Sequence, residues 1–228
     1  MIRSLKLLTK FETMLWGISV AVIAGTAILF KSNDPLSICA SLVGVSALIF
    51  VAKGLPLGQL LTIAFSVFYG IISFIFRYYG EMITYLCMSA PAAFISLISW
   101  LRHPYQDTEV VEVARLSKKK IINVIVISAV VSAVFYFILG WLGTASLYLS
   151  TVSVTTSMLA SMLTAYRSRF YALAYAANDV VLIGLWIAAA MTDISCVPMV
   201  ACFVMFFAND LYGFYNWGKM MKEQKSGS

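Results

Sequence analysis

Charge is what this sequence has least of. Only 11% of its 228 residues are Asp, Glu, Lys or Arg, 61% are apolar, and the mean hydropathy is +0.91. A soluble domain carries about a quarter charged residues. Too few charges are present to cover one water-soluble core of this size, so lipid has to be the solvent. Histidine is reduced to His103, and the four cysteines, Cys39, Cys87, Cys196 and Cys202, are scattered through or beside apolar runs with no Cys-x-x-Cys pair. No metal-ligand set follows from that inventory, and the cysteines read as small apolar residues of the spans. A TVGYG-like filter, an HExxH helix, a nucleophile motif and a phosphate-binding glycine loop are also missing, which argues against a channel and against an enzyme. The expectation is therefore no catalytic residue, no metal and no cofactor.

What the chain does have is length in apolar stretches. A spanning helix takes about 20 mostly apolar residues, and by that ruler eight spans run from Thr13 to Phe30, Leu36 to Val51, Leu57 to Phe76, Glu81 to Trp100, Ile121 to Trp141, Ser146 to Tyr166, Phe170 to Thr192 and Ile194 to Trp217. The second is short and contains Gly44. The first does not read as a signal peptide, because Lys31 and Asp34 stand where a small-residue cleavage site belongs. With eight spans, fourteen of the sixteen basic residues fall on one side: Arg3, Lys6, Lys10, Lys53, Arg102, Arg115, Lys118, Lys119, Lys120, Arg167, Arg169, Lys219, Lys222 and Lys225. Only Lys31 and Arg77 are left for the other. Short cytoplasmic loops hold the excess of Lys and Arg, so both termini are expected in the cytoplasm. The net charge of +6 is then the topology signal, helped by anionic lipid heads, and asks for no nucleic-acid partner.

The spans also resemble one another. The fourth ends in PAAFISLISW and the eighth in ANDLYGFYNW; aligned on Trp100 and Trp217, Ser96 meets Gly213. In the preceding helices, SVFYG at 66–70 matches DVVLIG at 179–184 loosely. The expected architecture is an all-α membrane domain covering 1–228: a leading helix (13–30), a three-helix repeat (36–100), a cytoplasmic loop and linker helix (101–141), a second three-helix repeat (146–217) and a cytoplasmic tail (218–228). Helices two and six are four spans apart and point the same way, so the repeats are parallel. A substrate site near the midplane between the halves is the usual consequence.

Against this background two acids stand out. Asp179 and Asp210 each follow an Ala-Asn pair inside a long apolar run, and a carboxylate at the bilayer centre costs roughly 2.5–3.5 kcal/mol even on the lenient insertion scale. On the seventh span Tyr175, Asp179 and Trp186 share one helix face, with Asn178 beside it. On the eighth, Asp210 shares a face with Trp217, and Asn209, Tyr212 and Asn216 form an adjacent polar stripe. An acid and an amide beside aromatics can clamp a ring that bears hydroxyls; interhelical glue is the competing reading. Ser66, Tyr69 and Thr84, with Tyr85, are the candidates from the first half, each with ordinary packing as the alternative. Glu81 beside Arg77 reads as a solvated ion pair at a helix start. No Lys or Arg lies in the middle of a span, which disfavours a phosphorylated cargo.

At RYYGEM (77–82), at the Trp100 helix end and above all at LYGFYNW (211–217), the chain resembles the Pnu family of bacterial vitamin transporters over about Leu36 to Trp217. The resemblance implies a homotrimer in the inner membrane that moves a nucleoside-like small molecule by facilitated diffusion, with a cytoplasmic kinase trapping the cargo by phosphorylation. Nicotinamide riboside is the leading cargo. The nicotinamide riboside type often has an amide where this chain has Ser66, a glutamine where it has Ala93, and tryptophans where it reads GLPLGQ. Thiamine, riboflavin, a deoxynucleoside and proton-coupled transport therefore stay open.

Overall fold

The computed structural model describes residues 7–30, 35–144 and 146–226. The expectations resting on Arg3, Lys6, Lys31 and Asp34 lie outside the described residues. Eight helices are long and apolar enough to cross a membrane, and among the described residues there is no β-strand. They are α1 (Lys10–Leu29), α2 (Pro35–Ala52), α3 (Pro56–Ile75), α4 (Tyr79–Leu101), α5 (Lys118–Trp141), α6 (Leu147–Ala165), α7 (Tyr171–Ala190) and α8 (Val197–Ser226), the last entered through a short 3₁₀ turn, Ile194–Cys196.

Local chemistry sets several of these ends. Thr9 and Glu12 form a reciprocal capping box that starts α1. Pro56 occupies the first turn of α3, where its missing N–H costs nothing. Pro91 lies inside α4 and cannot donate to the preceding turn; just before it the helix widens into a π segment, Thr84–Ser89. Helix α8 continues to Ser226, through the stretch expected as a tail.

Six helices pack in a closed ring, α2 to α3 to α4 to α6 to α7 to α8 and back to α2. Helix α1 lies outside against α2 and α8, and α5 packs chiefly on α6. Only 11% of the most apolar window of α5 is buried, against 56% for α2, so α5 presents most of its surface to lipid. Gly44, which weakened the second span as a sequence pattern, lets α2 approach closely: a Cβ there would stand 2.8 Å from the Phe65 ring and overlap Phe206.

Two bonds close the ring at the end that carries the 102–117 loop. The Trp100 indole N–H donates to Thr164 O at 3.1 Å, and the Trp217 indole N–H donates to Val51 O at 3.0 Å. Each ties the last turn of one half to the last turn of the first helix of the other. Just beyond those carbonyls, Gly54 (φ 75°) and Arg167 (φ 57°) both turn the chain through the left-handed region. The loop then crosses both turns, with Val111 N–H on Gly54 O and Ala114 N–H on Arg167 O, each at 2.9 Å.

Candidate functional site

Inside the ring lies a cavity of about 50 Å³ walled by both halves. From α2, α3 and α4 come Gly44, Gln59, Phe65, Ser66, Tyr85 and Ser89; from α7 and α8 come Tyr175, Asn178, Asp179, Phe206 and Asp210. The acids are buried, Asp179 4% and Asp210 3% exposed, and their carboxyl groups face each other across the α7–α8 contact. Asp179 Oδ2 has no hydrogen-bond partner among the described residues, and neither has the Ser66 hydroxyl on the opposite wall. No lysine or arginine lines the cavity. Drug-sized ligand sites hold roughly 300–1,000 Å³, so the walls have to part before a nucleoside-sized molecule fits.

Asn178 is held from behind. Its Oδ1 accepts from the Thr156 hydroxyl at 2.9 Å and lies 3.0 Å from the Ser153 hydroxyl. That same Ser153 oxygen is 3.1 Å from Glu81 Oε2. One hydroxyl proton can serve only one of these two acceptors at a time. Glu81 is fully buried, and its Oε1 is without a partner among the described residues. This overturns the reading of Glu81 as a solvated partner of Arg77. The first turn of α4 packs against α6, where Gly80 lies against Ser150, and this carries Glu81 inward while Arg77 stays exposed.

The other expected residues fall in three places. Tyr175, Asn178, Asp179, Asp210 and Ser66 come together at the cavity. Tyr69 and Trp186 do not line it; both are fully buried, and the Trp186 indole N–H donates to Tyr69 Oη at 2.7 Å inside an aromatic cluster with Phe76, Tyr78, Tyr85 and Phe203. Thr84, also fully buried, is on the π segment one residue before Tyr85, its hydroxyl without a partner among the described residues. The polar stripe of α8 turns away toward α1 and α2. Asn209 donates to Ser19 Oγ at 3.1 Å, the Tyr212 hydroxyl to Glu12 Oε1 at 2.9 Å, and Asn216 to Ala52 O at 2.8 Å.

Three residues escape sequence reasoning. Glu12, fully buried, accepts from Tyr212 and pairs with Lys53 at 3.1 Å; its capping-box spacing from Thr9 was the available signal. Gln59, 2% exposed, lines the cavity and is legible only as an amide two residues into an apolar run. Ser153 carries no distinguishing pattern in a helix with several other serines and threonines. Among the described residues, no group of three or more His, Cys, Asp or Glu side chains is placed to hold a metal.

An occluded cavity at mid-span, shared by two three-helix units and bearing carboxyls on one wall, defines a multi-pass membrane transport protein. The profile of the family described as nicotinamide mononucleotide transporter matches residues 34–219, and the chain belongs to that family. It is 27% identical over 219 residues to the nicotinamide riboside transporter PnuC of Neisseria mucosa, covering 94% of this chain and 83% of that protein. It is 26% identical over 192 residues to the nicotinamide riboside transporter PnuC of Haemophilus influenzae, covering 82% and 80%. The fold matches the crystal structure of the vitamin B3 transporter PnuC with a TM-score of 0.83 at 26% identity, over 95% of this chain and 94% of that one. The resemblance found in the LYGFYNW motif is thus met by the family profile and by the fold. This is a multi-pass protein of the bacterial inner membrane.

Proposed function

We propose that this chain imports an unphosphorylated nucleoside-like vitamin, nicotinamide riboside first, by facilitated diffusion, and that a cytoplasmic kinase makes uptake one-way by phosphorylating the cargo. The observation that carries this reading is the cavity: aromatic rings on both walls, an acid pair and an anchored amide on one of them, and no cation in its lining. Rings stack a flat heterocycle, carboxyls accept from sugar hydroxyls, and the Asn178 amide, its oxygen taken from behind, can donate to a hydroxyl oxygen through Nδ2. Relatives named as nicotinamide riboside transporters support the cargo. The family description speaks of a mononucleotide, but a phosphate in this cavity would meet two acids and no base.

The same acid pair favours a second reading within the family, a cationic cargo such as thiamine, over riboflavin or a deoxynucleoside. Both termini are taken as cytoplasmic on the distribution of basic residues, and the assembly as a homotrimer by likeness to the family. The parallel repeat is supported by the matched Trp100 and Trp217 bonds and the matched left-handed turns beneath them. The chain is taken to turn over no substrate.

Thermal unfolding of the purified protein with nicotinamide riboside, its phosphate, thiamine, riboflavin and deoxynucleosides tests the assignment. A cargo at a hundred times its dissociation constant adds about 2.7 kcal/mol. Stabilisation by nicotinamide riboside and none by its phosphate is expected. Equal stabilisation by the phosphate would overturn the assignment.

A further inference from the structure

We propose that the groove between α5 and α6, at the end carrying the 102–117 loop, binds one anionic phospholipid, with an acyl chain between the helices and the phosphate on Arg115 and Arg169. The groove holds about 570 Å³, far more than the central cavity. Its walls are apolar: Val124 and Ile125 from α5, Leu159 and Leu163 from α6, with Met221 of α8 beneath. Arg115 and Arg169 belong to the same lining, and no acid does.

Charge complementarity decides the occupant. Three cations at this end are answered by acids: Lys53 by Glu12 at 3.1 Å, Arg167 by Glu112 at 3.3 Å and Lys219 by Glu223 at 3.7 Å. Arg115 and Arg169 have no acidic partner among the described residues. Arg169 is held in place, its guanidinium 4.7 Å from the Phe214 ring centroid and 5.1 Å from that of Phe170. Stacking uses the face of the guanidinium and leaves its N–H edge free to fork onto phosphate oxygens. Three consecutive lysines, Lys118–Lys120, open α5 beside the groove with no acid in the first turn, so the surrounding field is positive as well. A basic pocket between spanning helices at this depth suits an anionic headgroup. Because most of α5 is exposed, a lipid can enter from the side. A free phosphate would leave the apolar walls unfilled, and a second copy of the chain would need acids to answer the arginines.

The test is native mass spectrometry of the full-length chain with phosphatidylglycerol or phosphatidylcholine of identical acyl chains. One phosphatidylglycerol per protomer, retained at least about tenfold more tightly than phosphatidylcholine, is expected. The Arg115→Gln/Arg169→Gln double variant should lose that preference about tenfold, and Leu163→Trp should reduce retention of both lipids by filling the groove. Equal retention of the two lipids by the unmodified protein would overturn the proposal even if neither variant folds. So would equal stabilisation by inorganic phosphate alone, which would mark a free-anion site. Efficient cross-linking of Ile125→Cys, at an exposed position of the groove wall, between copies would show that a second chain fills the groove, and would also overturn it.

Discussion

Counted along the chain, α2–α4 have Ser66 and Ala93 where α6–α8 have Asp179 and Asp210. Ser66 lies as far along the chain beyond Val51 as Asp179 lies beyond Thr164, and Ala93 precedes Trp100 by the same interval as Asp210 precedes Trp217. Yet the ends of the two units are closed in the same way, by an indole bond to the opposing last turn followed by a left-handed residue. The closures are alike because a closed ring needs both, and a buried carbonyl at a helix end needs a donor on either side. The middles are free to differ because no such closure depends on them. The cavity is therefore one-sided in its charge: rings and amides stand on both walls, Phe65, Tyr85 and Gln59 facing Tyr175, Phe206 and Asn178, but both acids stand on the α7–α8 wall. A bound molecule with one apolar and one hydroxylated or charged end has a single favourable orientation in it.

The likeness at the ends is the first thing to break. Trp100 and Trp217 are 1% and 0% exposed, and replacing a buried indole by alanine costs about 3–5 kcal/mol. Trp100→Ala and Trp217→Ala should each lower the unfolding temperature in detergent, by similar amounts. If only one of them matters, the two closures are not equivalent and the proposed repeat loses its best support.

The difference in the middles is tested by the acids. Asp179→Ala removes a charge-assisted hydrogen bond to the cargo, worth about 1.5–3 kcal/mol, or roughly ten- to a hundredfold in affinity. Expression and assembly should stay near normal, because Asp179 Oδ2 bonds to nothing else among the described residues. Asp210→Ala should show a smaller loss of affinity together with some loss of stability, since its neighbours Asn209 and Tyr212 on α8 hold α1. Asp179→Asn separates the two cargo classes: a cation suffers from losing the charge, whereas a neutral nucleoside keeps most of its bonds through the amide. Lower stability with unchanged cargo affinity would make the acids helix glue and remove the polar wall from the site.

Much of this was legible before any fold was known. Apolar length and the spread of basic residues are one-dimensional properties, and they define eight spans and their ends to within a few residues, except that α8 runs on through the expected tail to Ser226. The cost of a buried carboxylate is also local, so Asp179 and Asp210 declare themselves. Helix rotation does not. Asn209, Tyr212 and Asn216 are adjacent to Asp210 on the surface of α8, but α1 takes the bonds of the first two through Ser19 and Glu12, and α2 takes that of Asn216 through Ala52 O. Trp186 shares a helix face with Asp179 but sits two turns farther on, beyond the cavity, where Tyr69 holds its N–H. Glu81 misled for a related reason: a residue at a predicted span boundary looks solvated until the neighbouring helix is known, and here α6 covers it.

Tyr69→Phe sharpens the distinction between the aromatic cluster and the cavity. It deletes the partner of a buried indole N–H, and an ordinary buried hydrogen bond contributes about 0.5–1.5 kcal/mol. A modest fall in unfolding temperature with cargo affinity unchanged is the expected result. An affinity loss as large as that of Asp179→Ala, measured by the same thermal titration, would mean that the aromatic cluster opens onto the cargo and that the cavity extends past Tyr85.

The smallest effect belongs to Ser66→Ala. Its hydroxyl is fully buried and unpartnered among the described residues, a condition that costs free energy in the empty protein. Removing it should leave stability unchanged or raise it slightly. If the hydroxyl bonds the cargo, affinity falls by the value of one neutral hydrogen bond, about 0.5–1.5 kcal/mol, or roughly two- to tenfold. That is less than at the corresponding acid, because a serine donates or accepts without a charge. Measured side by side, the two substitutions put a number on how one-sided the cavity is. A Ser66→Ala loss equal to that of Asp179→Ala would show both walls gripping polar groups, and the single-orientation argument would fail.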